Sequence, residues 1–396
     1  MMRPLASRMS VMSGEGALSV YARAKELERE GRSIIHLELG EPDFHPAAPA
    51  SAALKRAVDE GKDRYCPVAG VPALRQAIAD YLRATRNLNV SADSVVIAPG
   101  CKIALFMALM ALTDLGDEVL YPDPGFPGYS SITLGFSGVP VPFALSERNR
   151  FQPDPDEIAG KITPRTKILI TNSPGNPTGT VYTDEVQRRI AEIAVKHDLI
   201  VLSDEIYARI LYGGEYLSML SYPGMEERTL IIDGFSKSFA MTGWRLGYIV
   251  APLHIVPALQ MLVVNSYTCV AEFTQYGAIE GLKDSTGATA RMVAEFAKRR
   301  EHFVQDLNRV PGFRCQAPRG AFYAWVNISD TGLNAEELCR IMLEEAGVAA
   351  IPGAAFGVNG TQFVRFSFAS SATTLQEAIE RIQRVSIAWQ RSAVMR

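Results

Sequence analysis

Lys237 stands in DGFSKSFAMTGWRLGY (233–248), among small and apolar residues and directly after TLIIDGF, a run apolar enough for a buried strand. An ammonium normally stays hydrated at a surface. A lysine held in dry surroundings has a depressed pKa, and its free amine can act as nucleophile and then as base. Other residues able to do chemistry follow other strand-like runs. Gly100, Cys101 and Lys102 come after SVVIAP, and Asn176 lies in SPGNPTG after KILITN. Asp204 and Tyr207 end LIVLSDEIY, and Ser236 and Arg245 flank Lys237. In open α/β sheets, ligands gather at the carboxyl ends of strands. These side chains and a glycine-opened helix are therefore expected on one rim.

Taken singly, each has an ordinary explanation. Asp204 could cap a helix, Tyr207 could be a core aromatic, and NPTG is a turn signal. Gly100 could open a tight turn, and Arg245 could form a surface ion pair worth under about 1 kcal/mol. Their joint placement at successive strand ends is what these explanations leave unaccounted for.

The elements that must carry these residues are legible in the hydropathy pattern. SVVIAP, EVLYP, VPVPF, KILITN, LIVLSDE, TLIIDGFS and GYIVAP are short β-branched runs, several apolar on both faces, as in a sheet covered by helices on each side. Between them, DEVQRRIAEIAVKHD has helical spacing, with Thr183 and Asp184 placed for an N-cap. IALFMALMAL (103–112) reads as a buried helix, too short to span a bilayer. This alternation predicts an α/β fold with a mostly parallel sheet. Amphipathic helices are expected at 16–31, 290–309 and from TLQEAIERIQRVSIAWQ, and 310–370 reads as α+β. The predicted organisation is residues 1–45 joining a small domain, 46–290 forming a large domain, and 291–396 completing the small one.

Composition excludes other classes. The 396 residues are 47% hydrophobic and 21% charged, and the net charge of −3 points to neither nucleic acid nor an anionic membrane. The N-terminus has no continuous apolar core of the kind a secretory signal needs. Five cysteines and five histidines are dispersed, without CxxC or other metal-ligand spacing. That pattern predicts reduced thiols in a cytoplasmic setting and no metal site.

GEPDF (40–44), RYCPVAGVPALRQAIADYL (64–82), NSPGNPTG (172–179), SDEIY (203–207), GFSKSFAMTGWRLG (234–247) and VRFSF (364–368) occur in this order. Together they resemble the class I/II aminotransferases of fold type I (subgroup Iγ-like), enzymes that use pyridoxal 5′-phosphate. The resemblance covers nearly the whole chain. It implies a mostly parallel seven-stranded sheet between helices, a smaller α+β domain built from both chain ends, and a homodimer with shared sites. The implied reaction exchanges an amino group between an L-amino acid and a 2-oxo acid by a ping-pong course. Aspartate-, aromatic- or alanine-type substrates are expected; a lyase of the same fold, a β-C–S lyase or an aminocyclopropanecarboxylate-synthase relative, is the alternative.

The resemblance also assigns roles. Lys237 would hold the cofactor aldehyde and shuttle the substrate's α-proton. Asp204 would keep the ring nitrogen protonated, and Tyr207 and Asn176 would hydrogen-bond the phenolic oxygen. Ser236, Arg245 and the amides of the helix opening at Gly100, Cys101 and Lys102 would bind phosphate. Phe126 of DPGFPGY would stack on the ring, with Tyr129 the alternative. Tyr65 of the partner subunit would reach the phosphate. Arg365, beside Asn176 and the Gly40 backbone, would take the substrate's α-carboxylate. The chain departs from the common pattern at Cys101, at Phe126 and in HPAAP after EPDF.

Overall fold

A computed structural model of the chain describes residues 5–14, 16–284 and 287–394. All seven expected runs form strands of one sheet: β2 (Val95–Ala98), β3 (Glu118–Asp123), β4 (Val139–Ala144), β5 (Thr166–Asn172), β6 (Ile200–Asp204), β7 (Thr229–Gly234) and β8 (Gly247–Val250), preceded in the chain by β1 (Ile35–His36). Their order is β2-β8-β7-β6-β5-β3-β4. β3 pairs in parallel with β4 and β5, β5 with β6, and β6 with β7. Every residue of β2, β7 and β8 is buried, which is why these runs are apolar without alternation. β4 lies at an edge, where its prolines, Pro140 and Pro142, remove ladder donors at least cost.

β8 is antiparallel to both β7 and β2, a detail the pattern of runs did not reveal. A parallel return needs a crossover, usually helical, but the β7–β8 link holds only a one-turn 3-10 helix, Thr242–Trp244. The chain must turn back directly, and the turn is built from the segment containing Ser236, Lys237 and Arg245.

The helices fall close to expectation at Gly16–Arg29, Asp184–Lys196, Ala288–Leu307 and Ala372–Val394. Thr183 is the N-cap, its side chain accepting from the Val186 amide at 3.3 Å. The helix Cys101–Leu112 corrects the reading of 103–112 as wholly buried: Ala104, Leu105 and Ala108 are covered, but Phe106 and Met110 are 36% and 48% exposed.

A second, antiparallel sheet has the order β12-β13-β10-β9, from β9 (Arg314–Cys315), β10 (Tyr323–Asn327), β12 (Ile351–Pro352) and β13 (Phe363–Ser367). β1 pairs in parallel with β11 (Val348–Ala349), so the N-terminal segment and the C-terminal region are joined by main-chain bonds. Phe296, Phe303, Phe322, Leu338 and Phe366 fill the core beside them. Among the described residues, no helix is long and apolar enough to cross a membrane.

Candidate active site

The carboxyl ends of β6 and β7, the turn after β7 and the start of the helix Cys101–Leu112 face a cavity of about 310 Å³. Its wall contains Gly40, Cys101, Lys102, Phe126, Asn176, Asp204, Tyr207, Ser236, Lys237, Arg245 and Arg365. Gly100 lies just behind it. Tyr65 also lies outside the wall and is 85% exposed.

Lys237 is partly buried and donates from Nζ to the Gly40 carbonyl. Burial holds its ammonium down to a pKa of about 8, and the positive charges of Arg365 and Arg245 act in the same direction. At pH 7, one unit below that value, about a tenth of the amine is neutral. Asp204 ends β6, and its carboxylate accepts from the Tyr129 hydroxyl at 2.7 Å. Burial pushes this carboxyl up to about 6, against the stabilising bond from Tyr129. The Asn172 side chain donates to the Asp204 carbonyl at 3.0 Å, tying β5 to β6 at the rim.

Tyr129 is fully buried and meets Phe126 edge-on, with ring centroids 5.5 Å apart. Its bond to Asp204 gives it a place that the sequence reading, which considered it for ring stacking, did not foresee. Tyr323 was missed altogether. From β10 its hydroxyl shares a 2.7 Å hydrogen bond with that of Tyr207, and its ring lies beneath the Arg365 guanidinium, 4.4 Å from the centroid. Gly40 gave a usable signal for it, since a Cβ there would collide with the Tyr323 hydroxyl.

Arg365, on β13, is 4% exposed. It donates to Asn176 Oδ1 at 2.9 Å and to the Glu38 carbonyl, and it also faces the Phe356 ring at 4.8 Å. A planar cation held by two rings and two acceptors is preorganised to meet a carboxylate. The grouping of Arg365, Asn176 and Gly40 anticipated from sequence is present in the wall.

At the opposite end, Gly100 is the N-cap of the helix Cys101–Leu112, with no side-chain cap. The first amides of that helix are left for an anion. Arg245 lies against Gly100, bonded to the carbonyls of Thr242 at 2.9 Å and Pro99 at 3.3 Å. A Cβ on Gly100 (φ +93°) would stand 2.7 Å from the guanidinium, and one on Gly247 would stand 2.8 Å from the Cys101 nitrogen. The glycines are required by this close approach. Burial drives the Cys101 thiol well above its usual range, so the sulfur stays protonated. Lys102 extends over the Phe126 ring at 5.7 Å from the centroid.

The comparisons agree with this arrangement. The family model for class I and II aminotransferases matches residues 32–382. An aspartate aminotransferase of Pyrococcus horikoshii is 37% identical over 96% of each chain. A probable aspartate/prephenate aminotransferase of Aquifex aeolicus is 38% identical, over 97% of this chain and 99% of that one. The solved structure of the Thermus thermophilus aspartate aminotransferase with maleate superposes with a TM-score of 0.93 at 36% identity, covering 97% of this chain and all of the other. The chain belongs to the class I and II aminotransferases, enzymes that transfer amino groups.

Proposed function

We propose that the chain exchanges the amino group of an acidic L-amino acid, aspartate first, for the oxygen of a 2-oxo acid by a ping-pong course. It does so with pyridoxal 5′-phosphate, as a cytoplasmic homodimer. The observation that carries this reading is the convergence of Lys237, Asp204 and Arg365 on one cavity of about 310 Å³. An amine of lowered pKa, a buried carboxylate and a clamped guanidinium are what amino-acid chemistry on this cofactor requires.

The residues present fit the cofactor. Gly100 and Gly247 let the Arg245 guanidinium and the Cys101 amide draw close together, with Ser236 in the same wall and the helix start uncapped, as a phosphate needs. When bound, the cofactor supplies an electron sink for charge developing on the substrate's α-carbon. Asp204 holds a proton on the ring nitrogen by opposite charge, with Tyr129 fixing the carboxylate. Tyr207 and Asn176 offer polar atoms for the phenolic oxygen, and Phe126 an apolar face for the ring. Arg365 orients the substrate through its α-carboxylate. Lys237 Nζ, once free, takes the α-proton and returns it on the other side of the exchange.

Two features support the finer parts. Lys102 adds a cation to the wall distinct from Arg365 and Arg245, suited to a second carboxylate, and several relatives are named aspartate aminotransferases. Tyr65 is exposed outside its own cavity, and exposed Phe106, Met110, Met261 and Val264 offer apolar surface for a second copy. A partner subunit would thus bring Tyr65 to the phosphate. The division into residues 1–45 and 291–396 against 46–290 belongs to the same proposal, supported by the β1–β11 pairing.

A screen of amino donors against 2-oxoglutarate, pyruvate and oxaloacetate tests the reading. Aspartate should give the highest kcat/KM, and Lys102→Ala should lower it for aspartate at least tenfold more than for alanine. Equal losses for both donors would remove Lys102 from the side-chain subsite.

A further inference from the structure

Behind the cavity lies a buried charge cluster that the reaction, as described, does not use. Arg86 ends the helix Pro72–Arg86, and its side chain is 2% exposed. It donates to Glu205 Oε2 at 2.5 Å and, through its other terminal nitrogen, to Asp233 Oδ2. The remaining acceptors are occupied: Ser203 and Ser218 donate to Glu205 Oε1 at 3.0 and 2.6 Å, and the Gly234 amide donates to Asp233 Oδ1 at 2.6 Å, while Tyr248 donates at 2.9 Å to the Oδ2 that Arg86 also holds. Tyr81 and Tyr216 face the guanidinium, at 6.0 and 5.4 Å from their centroids.

The placement of the two acids matters more than their burial. Glu205 directly follows Asp204 at the end of β6, and its amide donates to the Ile232 carbonyl of β7. Asp233 lies in β7, just before the turn that carries Ser236 and Lys237. The fork of Arg86 therefore spans the two strand ends holding the proposed acid and amine. Three charges balance to one net negative unit behind Asp204.

We propose that Arg86 is a positioning residue for the amino-transfer site: it clamps the ends of β6 and β7 in register and limits the negative charge acting on Asp204. The inference rests on the reading that Asp204 faces the cofactor's ring nitrogen. Both neighbouring acids disfavour the charged form of Asp204, and losing Arg86 would expose it to two unpaired carboxylates. The other titratable groups around Asp204 are Tyr129, Tyr207, Tyr216 and Cys101, all neutral because desolvation raises each of them, with Lys237 across the cavity.

The test is the affinity of the full chain for pyridoxal phosphate between pH 5 and 8, with thermal unfolding measured alongside. Asp233→Asn makes the cluster neutral, Arg86→Met makes it doubly negative, and the double variant restores one negative unit. The pH at which affinity falls on the acid side should move down by about half a unit in Asp233→Asn and up by as much in Arg86→Met. It should return to the wild-type position in the double variant. Arg86→Lys should keep the wild-type limb but lose kcat, because one ammonium cannot span both acids as a fork does. An unchanged limb across the series, with only lower melting temperatures, would reduce Arg86 to a structural brace and overturn the proposal. If Arg86→Met does not fold, Asp233→Asn and the double variant decide. An Asp204→Asn control that keeps the wild-type limb would refute the placement of Asp204 itself, and with it any action of Arg86 through that residue.

Discussion

The Tyr129 hydroxyl donates to the Asp204 carboxylate at 2.7 Å, and this bond opposes the burial that pushes Asp204 up to about 6. Tyr129→Phe removes the donor and leaves ring volume unchanged. The carboxyl should then protonate more readily, so the acid limb of kcat/KM moves to higher pH, with a loss of about tenfold at neutral pH from one bond to a charged group. An unchanged acid limb would show that the bond does not act on Asp204.

Arg365 is held by Asn176 and the Glu38 carbonyl between two aromatic rings. Arg365→Ala should raise KM for every amino acid and 2-oxo acid alike, lowering kcat/KM by about 30- to 1000-fold, the scale of a charge-assisted pair. Arg365→Lys should recover only a small part, because an ammonium lacks the fork. Steady-state kinetics with two unrelated donors check this; a loss confined to one donor would contradict it.

Burial of Asp204 carries a stability cost with a defined pH window. Its folded pKa, about 6, lies above the ordinary value of 3.8, so the folded state binds more protons between these values. Its contribution is most favourable below about 3.8 and is lost as pH rises through about 6. Without cofactor, Asp204→Asn should therefore raise the melting temperature at pH 7.5, by about 1–3 kcal/mol in stability, and the gain should shrink toward pH 4. Lys237, held down to about 8, runs the other way: its burial weighs against folding below that pH and ceases to do so as pH rises toward 10.5. Thermal unfolding of Asp204→Asn and of Lys237→Ala across pH separates the two.

Tyr65 is 85% exposed and stands apart from the cavity of its own chain. If each site borrows Tyr65 from a second copy, mixing Tyr65→Ala with Lys237→Ala subunits should create hybrid dimers with one intact site. Activity above either parent, appearing only after subunit exchange, is the expected result. Hybrids no more active than the Tyr65→Ala parent would remove Tyr65 from the shared site.

Much of this architecture was legible because buried parallel strands write themselves as unbroken Val, Ile and Leu runs, and all seven were found. The direction of β8 was not, since a strand's composition is the same whichever way it runs; only the link after β7, which holds one 3-10 turn and no α-helix, distinguishes the cases. The helix Cys101–Leu112 looked wholly buried because its sequence is apolar all round, yet one side of it, with Phe106 and Met110, is exposed. At the site, Lys237, Asp204 and Arg365 stood out as charged residues in apolar runs. Tyr129 and Tyr323 did not, because a tyrosine beside core residues reads as core until a partner for its hydroxyl is known. Arg86 was hidden in the same way, as one arginine among several on an amphipathic helix.

The central claim is that Lys237 is the amine through which the amino group moves. The most direct measurement follows oxaloacetate and glutamate formation from aspartate and 2-oxoglutarate by Lys237→Ala, with pyridoxal phosphate supplied in excess. Loss of at least about 10⁴-fold in kcat, against wild-type enzyme at the same pH, is the predicted result. Turnover within tenfold of wild type would contradict the account.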